Sequence, residues 1–312
     1  MKLLTTLLFT LLLTYACSQP VRLDIQPEGV LFTENSDTIL FHQTAEKSLN
    51  SEYTRSNYIH PLYALDGEVL TEDFPEDHPH HRGIFWAWHQ LYVGEKRIGD
   101  GWLIEDFKWE VLRVKELSTK TKAKSVQTDV VWKSPLWTDD TGNEKPLVSE
   151  TTTITVHLAK ANYRLVDITI SMIALEPDMR LGGSEEAKGY GGFSPRIRLS
   201  DNIIFTGPEG QVEAQNLPVS AGGWMDISGS LGKGGSPAGI TIMAHPTNPG
   251  YPNPWILRAK NSMQNAVFPH PGAQAIPLSD TEPTVLKYRL VIHMGLEPEV
   301  IGKLHKEYKK GD

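Results

Sequence analysis

Apolar and polar residues alternate with a period of two through much of the chain. The pattern is clearest at Ile154, Val156 and Leu158, at Val166, Ile168, Ile170 and Met172, and at Leu286, Tyr288, Leu290, Ile292 and Met294. Successive side chains of a strand point to opposite faces, so each run predicts a strand with one buried face. Turn signals separate the runs, among them Asp66-Gly67, Thr141-Gly142-Asn143, Gly182-Gly183, Gly207-Pro208 and Gly234-Gly235. Their spacing is irregular, which argues against a propeller or solenoid. Helical spacing is clear only at the end, where Glu297-Pro298 opens a segment and Val300, Ile301, Leu304 and Tyr308 fall on one side. The pattern predicts an all-β fold: a large antiparallel β-sandwich with few short helices and a C-terminal helix that covers a sheet edge.

The strand pattern begins after about residue 25. Before it come Met1-Lys2, an apolar run from Leu3 to Leu13, and Thr14-Tyr15-Ala16-Cys17-Ser18. The run is shorter than the ~17–25 residues of a membrane span and reads as a secretory signal. Cys17 is the only cysteine, so an internal disulfide is excluded. Its position after the apolar run reads as a bacterial lipoprotein processing site, with ordinary cleavage nearby as the alternative. The expected division is a signal over residues 1–17, a tether over 18–25 and one β domain over 26–312, since no Ser/Pro/Gly linker divides the remainder. The expected location is the periplasm, or the outer membrane or surface of a Gram-negative bacterium. Membrane contact is expected only through the lipid anchor.

The formal net charge of −8, with no basic block, argues against a nucleic-acid partner. The lone cysteine excludes thiol chemistry. No Gly-x-Ser-x-Gly elbow, phosphate-cradling loop or dinucleotide glycine fingerprint occurs. Paired-carboxylate hydrolysis stays open, with Glu150, Glu185 and Glu186 as candidates.

Residues 58–90 hold five of the 11 histidines and two of the eight tryptophans. Imidazoles donate, accept and ligate near neutral pH, and indole faces stack against sugar rings. From Gly83 the alternation puts Ile84, Trp86 and Trp88 on one strand face and Phe85, Ala87 and His89 on the other, with the histidine loop at the strand's mouth. His60, His78, His81 and Arg82 are catalytic candidates and His80 a substrate contact. His78 and His80 can point the same way and hold a divalent metal, with Asp73, Glu76 or Asp77 as a third ligand, whereas His81 and Arg82 should diverge. The sequence requires no cofactor. Trp86 and Trp88 read first as core, with Trp88 also a candidate cleft wall; Trp137, Trp224 and Trp255 lie near turns and are better placed for sugar stacking.

Two further segments carry chemistry. Glycines in Lys188-Gly189-Tyr190-Gly191-Gly192 let the backbone turn and bring Tyr190 and Arg196 to one region, where a guanidinium can clamp a carboxylate and a phenol can move a proton. His245, Asn248 and Trp255 belong to a proline-stiffened loop, His245 as a catalytic candidate and the other two as substrate contacts. His270 is a weaker candidate. His293 shares a strand face with Lys287 and Arg289 and should be half-buried.

The blocks His60-Pro61-Leu62, Asp77-His78-Pro79-His80-His81-Arg82-Gly83, Gly189-Tyr190-Gly191-Gly192 with Arg196, and His245-Pro246 before Trp255 resemble a bacterial family of unknown function often labelled methane oxygenase PmoA. The likeness spans nearly everything after residue 25. The label itself does not fit, because a membrane monooxygenase subunit needs transmembrane helices. The resemblance implies a supersandwich similar to galactose mutarotases and several polysaccharide lyases, in proteins that accompany carbohydrate utilisation.

The resulting expectation is a lyase or dehydratase acting by elimination on an acidic, uronate-containing oligosaccharide. Arg196 or Arg82 would neutralise the carboxylate, His81 or His78 would take the C5 proton, and Tyr190 or His245 would protonate the departing oxygen. A sugar epimerase or glycoside hydrolase on the same fold, or a non-catalytic glycan-binding lipoprotein, are the alternatives. All the roles require the three segments to meet in one cleft.

Overall fold

A computed structural model describes residues 20–311. Two large antiparallel sheets face each other. The eight-stranded sheet runs in the order Arg22–Ile25, Gly29–Glu34, Asp37–Gln43, Tyr58–Leu62, Ile84–Trp88, Gly191–Pro195, Asn265–Val267, Trp255–Ile256. The nine-stranded sheet runs Lys108–Leu117, Lys124–Thr138, Glu144–Val156, Tyr163–Ala174, Thr284–His293, Ala238–Ala244, Trp224–Gly229, Ile204–Gly207, Gly210–Gln211. A four-stranded sheet contains Ile276–Pro277, Met179–Gly182, Gln90–Val93 and Lys96–Gly99. The all-β sandwich read from the period-two runs is the fold.

The runs also align in register. Ile154 pairs with Ile168, and Val166 and Ile168 pair with Leu290 and Tyr288, so their apolar faces form one continuous wall. Trp86, Trp88 and Phe193 of the opposite sheet pack into the same core cluster. Each large apolar side chain buried this way stabilises by roughly 1.5–3 kcal/mol.

One boundary differs from the sequence reading. Residues 22–25, assigned to a tether, form an edge strand paired with Val30–Thr33, because Arg22-Leu23-Asp24-Ile25 can complete a ladder that a tether would leave open. Cys17 and the signal lie outside the described residues. Among the described residues no helix is long and apolar enough to cross a membrane.

The C-terminal helix, Pro298–Tyr308, starts with proline in its first turn as expected. It lies on a sheet face rather than an edge. Ile301 and Leu304 pack with Trp224, Met243 and Val291 in a cluster separate from the main core. Met243 and Val291 alternate with Ile242, Leu290 and Ile292 of the main core, so the helix covers the outer face of the nine-stranded sheet.

Strand Ile84–Trp88 is buried on both faces. Trp86 and Trp88 point between the sheets: the Trp86 indole donates to Glu150 at 2.9 Å, and the Trp88 ring lies 5.5 Å from that of Trp132. Phe85 points outward beneath the histidine loop. Gly83 joins loop to strand with φ +55°, and a Cβ there would sit 2.1 Å from the Ile59 carbonyl, so only glycine permits this entry.

Candidate functional site

The histidine loop is built from tight turns. The Pro75 carbonyl accepts from the His78 amide at 3.1 Å, and the His78 carbonyl accepts from the His81 amide at 2.9 Å. The strand period therefore does not hold within it, and His81, expected to diverge, joins its neighbours. The His81 ring stacks on His78 at 4.7 Å and meets His80 edge-on at 4.5 Å, while His78 and His80 are 5.7 Å apart. Beneath them His81 packs on Phe85 at 5.9 Å and Trp102 at 6.0 Å. Trp102 is also stacked by His89 at 5.3 Å and touched by Tyr190 at 5.6 Å. The histidine loop and the glycine-rich Tyr190 segment thus converge around one indole, on the outer face of the eight-stranded sheet.

Arg196 ties the two segments together. It donates to both oxygens of Asp77, at 2.7 and 3.1 Å, to Glu72 at 2.6 Å and to Nδ1 of His81 at 3.3 Å. A guanidinium can only donate, so His81 Nδ1 is an acceptor and the proton of the neutral ring sits on Nε2. Burial, then the neighbouring His80 and His78, pushes the His81 pKa far below the usual imidazole range. His81 is therefore a neutral donor here, not the base expected of it. Burial and His78 likewise lower His80 to about 4.

His78 differs. Its side chain is 43% exposed and its Nδ1 lies 2.7 Å from Asp77. Burial alone would raise the Asp77 carboxyl, but Arg196 and His78 outweigh it and hold it below the usual range. With Asp77 ionised, His78 Nδ1 donates to it, and Nε2 is the nitrogen left outside the pair. His89 repeats the arrangement with Asp100 at 2.9 Å. Tyr190 accepts from Arg258 at 2.6 and 3.1 Å through its phenol oxygen, which leaves its hydroxyl hydrogen to donate.

The sequence reading missed Trp102, Asp100 and Arg258, and gave His89 no role. The alternation that put His89 on the face of Phe85 was correct and could have found it. Nothing local marks Trp102 or Arg258.

Several expected roles are corrected. Arg82 is 0% exposed. It is spent on Asp73 at 2.6 Å, the Tyr53 carbonyl at 2.6 Å, the Lys47 carbonyl at 3.1 Å and the Tyr58 hydroxyl at 2.5 Å, and lies 3.5 Å from the Phe74 ring centre. No substrate carboxylate can reach it. Arg196, 2% exposed, already clamps Asp77 and Glu72, so its role is positioning. His60 bonds Thr71 Oγ1 at 3.0 Å and belongs to the surroundings of Asp73 and Arg82; burial lowers its pKa to about 4.

The third segment lies elsewhere. His245 meets Tyr308 of the C-terminal helix at 5.0 Å, on the far side of the sandwich from His81. Asn248 closes its own loop onto the Lys287 backbone, donating at 2.9 Å and accepting at 2.7 Å. The Trp255 and Trp88 indoles donate to the Gly222 and Phe268 carbonyls at 2.9 and 2.7 Å, and both rings are core. Trp224 is buried beside the helix. His293 is 1% exposed rather than half-buried, bonded to Asp226 at 2.8 Å. Glu150 is buried between the sheets, whereas Glu185 and Glu186 are exposed.

For a metal, the acids are already committed: Asp77 to Arg196 and His78, Asp73 to Arg82 and Lys47. Among the described residues no group of three or more His, Cys, Asp or Glu is arranged to hold an ion.

No protein of curated function matches the chain significantly. A family model described as "Family of unknown function (DUF6807)" matches residues 23–306, which include every group of the imidazole cluster, and the chain belongs to that family.

Proposed function

We propose that the imidazole cluster is the active site of an exported carbohydrate-active enzyme, a lyase or dehydratase that eliminates water or a sugar leaving group from a uronate-containing oligosaccharide. The observation that carries the reading is the pair of Asp–His couples: Asp100–His89 stacks on Trp102 beside Tyr190, and Asp77–His78 is joined to them through His81, which packs on both His78 and Trp102. The likeness to sugar-acting supersandwich proteins belongs to this reading.

The roles move from those the sequence suggested. His78 or His89 takes the C5 proton at Nε2, the carboxylate behind each ring stabilising the imidazolium that forms. The C4–O bond breaks as the C4–C5 double bond forms, and the Tyr190 hydroxyl delivers its proton to the departing oxygen. With Arg82 and Arg196 buried and spent, the substrate carboxylate meets Lys188, whose ammonium is 5.9 Å from the Tyr190 ring centre, or Arg97 beside Asp100, displacing their exposed partners Glu186 and Glu185.

Purified protein is expected to give the ultraviolet absorbance of a conjugated enoate, or a mass loss of water, on a uronate oligosaccharide. His78→Ala or His89→Ala should lower kcat by about 10²–10⁴-fold with an unchanged melting temperature. A broad uronate panel with neither change would end the reading.

A further inference from the structure

We propose that a second site, for a short uronate oligosaccharide, lies on the opposite side of the sandwich, in the groove between the C-terminal helix and the loop around Tyr251. The groove encloses about 740 Å³, within the ~300–1,000 Å³ of small-ligand sites. Buried Trp224, half-buried Tyr251 and exposed Pro208 and Pro252 form its apolar wall. Gly223 makes room for Tyr251, since a Cβ there would come 2.1 Å from the phenol oxygen. Sugar rings present C–H faces that suit such a wall.

The other wall is the helix. Lys303, Lys306 and Lys309 are exposed and all line the groove. Residues three apart rise roughly 4.5 Å along a helix, so the ammoniums form a row rather than a point. Among the described residues no carboxylate pairs with any of the three, and Glu299 is the acid that shares the lining. On a chain of net charge −8 this strip is a local reversal of sign.

A row of cations beside an apolar trough fits a linear polyanion whose rings lie flat. An inorganic phosphate would need donors converging on one point, and a membrane surface would meet protruding rather than recessed apolar groups. The site requires binding and no turnover, so it stands apart from the elimination reading.

Calorimetry at low salt with short oligogalacturonates tests it, with maltooligosaccharides of equal length and phosphatidylglycerol vesicles as the other arms. Measured in the His78→Ala background, where turnover is removed, oligogalacturonate should bind, and about tenfold or more weakly when Lys303→Gln, Lys306→Gln and Lys309→Gln are added together. Lys306→Gln alone should give a smaller loss, and Tyr251→Ala a loss that persists at high salt, because only the ionic part is screened. Absent oligogalacturonate binding, equal binding of the neutral sugar, unweakened binding by the triple variant, or binding to vesicles alone would overturn the proposal.

Discussion

Glu150 and the imidazole cluster are two polar assemblies built on opposite faces of one strand, Ile84–Trp88, and they are finished differently. Between the sheets, Glu150 accepts from Asn57 Nδ2 and Thr152 Oγ1 at 2.6 Å, Trp132 Nε1 at 2.8 Å and Trp86 Nε1 at 2.9 Å. Asn57 in turn bonds His42 at 3.0 Å and Thr128 at 3.3 Å. Three of the donors share Oε1 and the fourth holds Oε2, and Glu150 is 0% exposed between the sheets, so no ligand can reach the carboxylate. On the outer face, His78 and His89 each spend one nitrogen on an aspartate and keep the other. Burial and charge are common to both assemblies. What separates a brace from a candidate reaction centre is hydrogen-bonding capacity left unused where solvent can reach it.

The largest test of that contrast is Glu150→Ala. It strands two indole N–H groups and an amide in the core, and the denaturant midpoint should report a loss of at least ~3 kcal/mol. A loss below about 1 kcal/mol, the scale of a surface pair, would mean that the assembly does not join the sheets.

Acid titration gives the next effect. Burial, opposed by the bond to Asn57, lowers His42 from 6.5 to about 4. Between those values the unfolded chain binds the extra proton, so stability is full above the unfolded pKa and falls as pH drops toward the folded one. His42→Gln cannot titrate and should flatten this acid limb by up to ~3 kcal/mol in melts across the window. An unchanged limb would assign it to the other histidines lowered to about 4, His60, His80 and His305.

Asp77→Asn should have the smallest effect on stability, within about 1 kcal/mol, because Asp77 is 28% exposed and its pairing is screened. Turnover should nevertheless fall, with a shifted pH profile of kcat, as His78 loses the carboxylate that orients it. Loss of folding with intact specific activity would make the outer cluster a brace as well.

Much of this was legible from residue order. Ile154, Ile168 and Leu290 announced their strands because side-chain direction alternates locally, and the same rule put Trp86 inside and His89 outside. The loop at His78, His80 and His81 stood out by composition. Arg82 and Arg196 were misread because an arginine's availability depends on its partners: Arg196 meets Asp77 across 119 positions and Glu72 across 124. His245 was grouped with the others by residue type, while the helix that receives it could be placed on a face or an edge with the same pattern.

By itself the sequence determined the strands, the terminal helix, the apolar faces and the loop richest in imidazole, all of which follow from the local geometry of neighbouring residues. Only the tertiary structure decided which charges are spent and which remain open. That assignment depends on hydrogen bonds such as Asn57 to Glu150, made across 93 positions, whose partners are chosen by how the two sheets stack rather than by anything either residue shows to its neighbours.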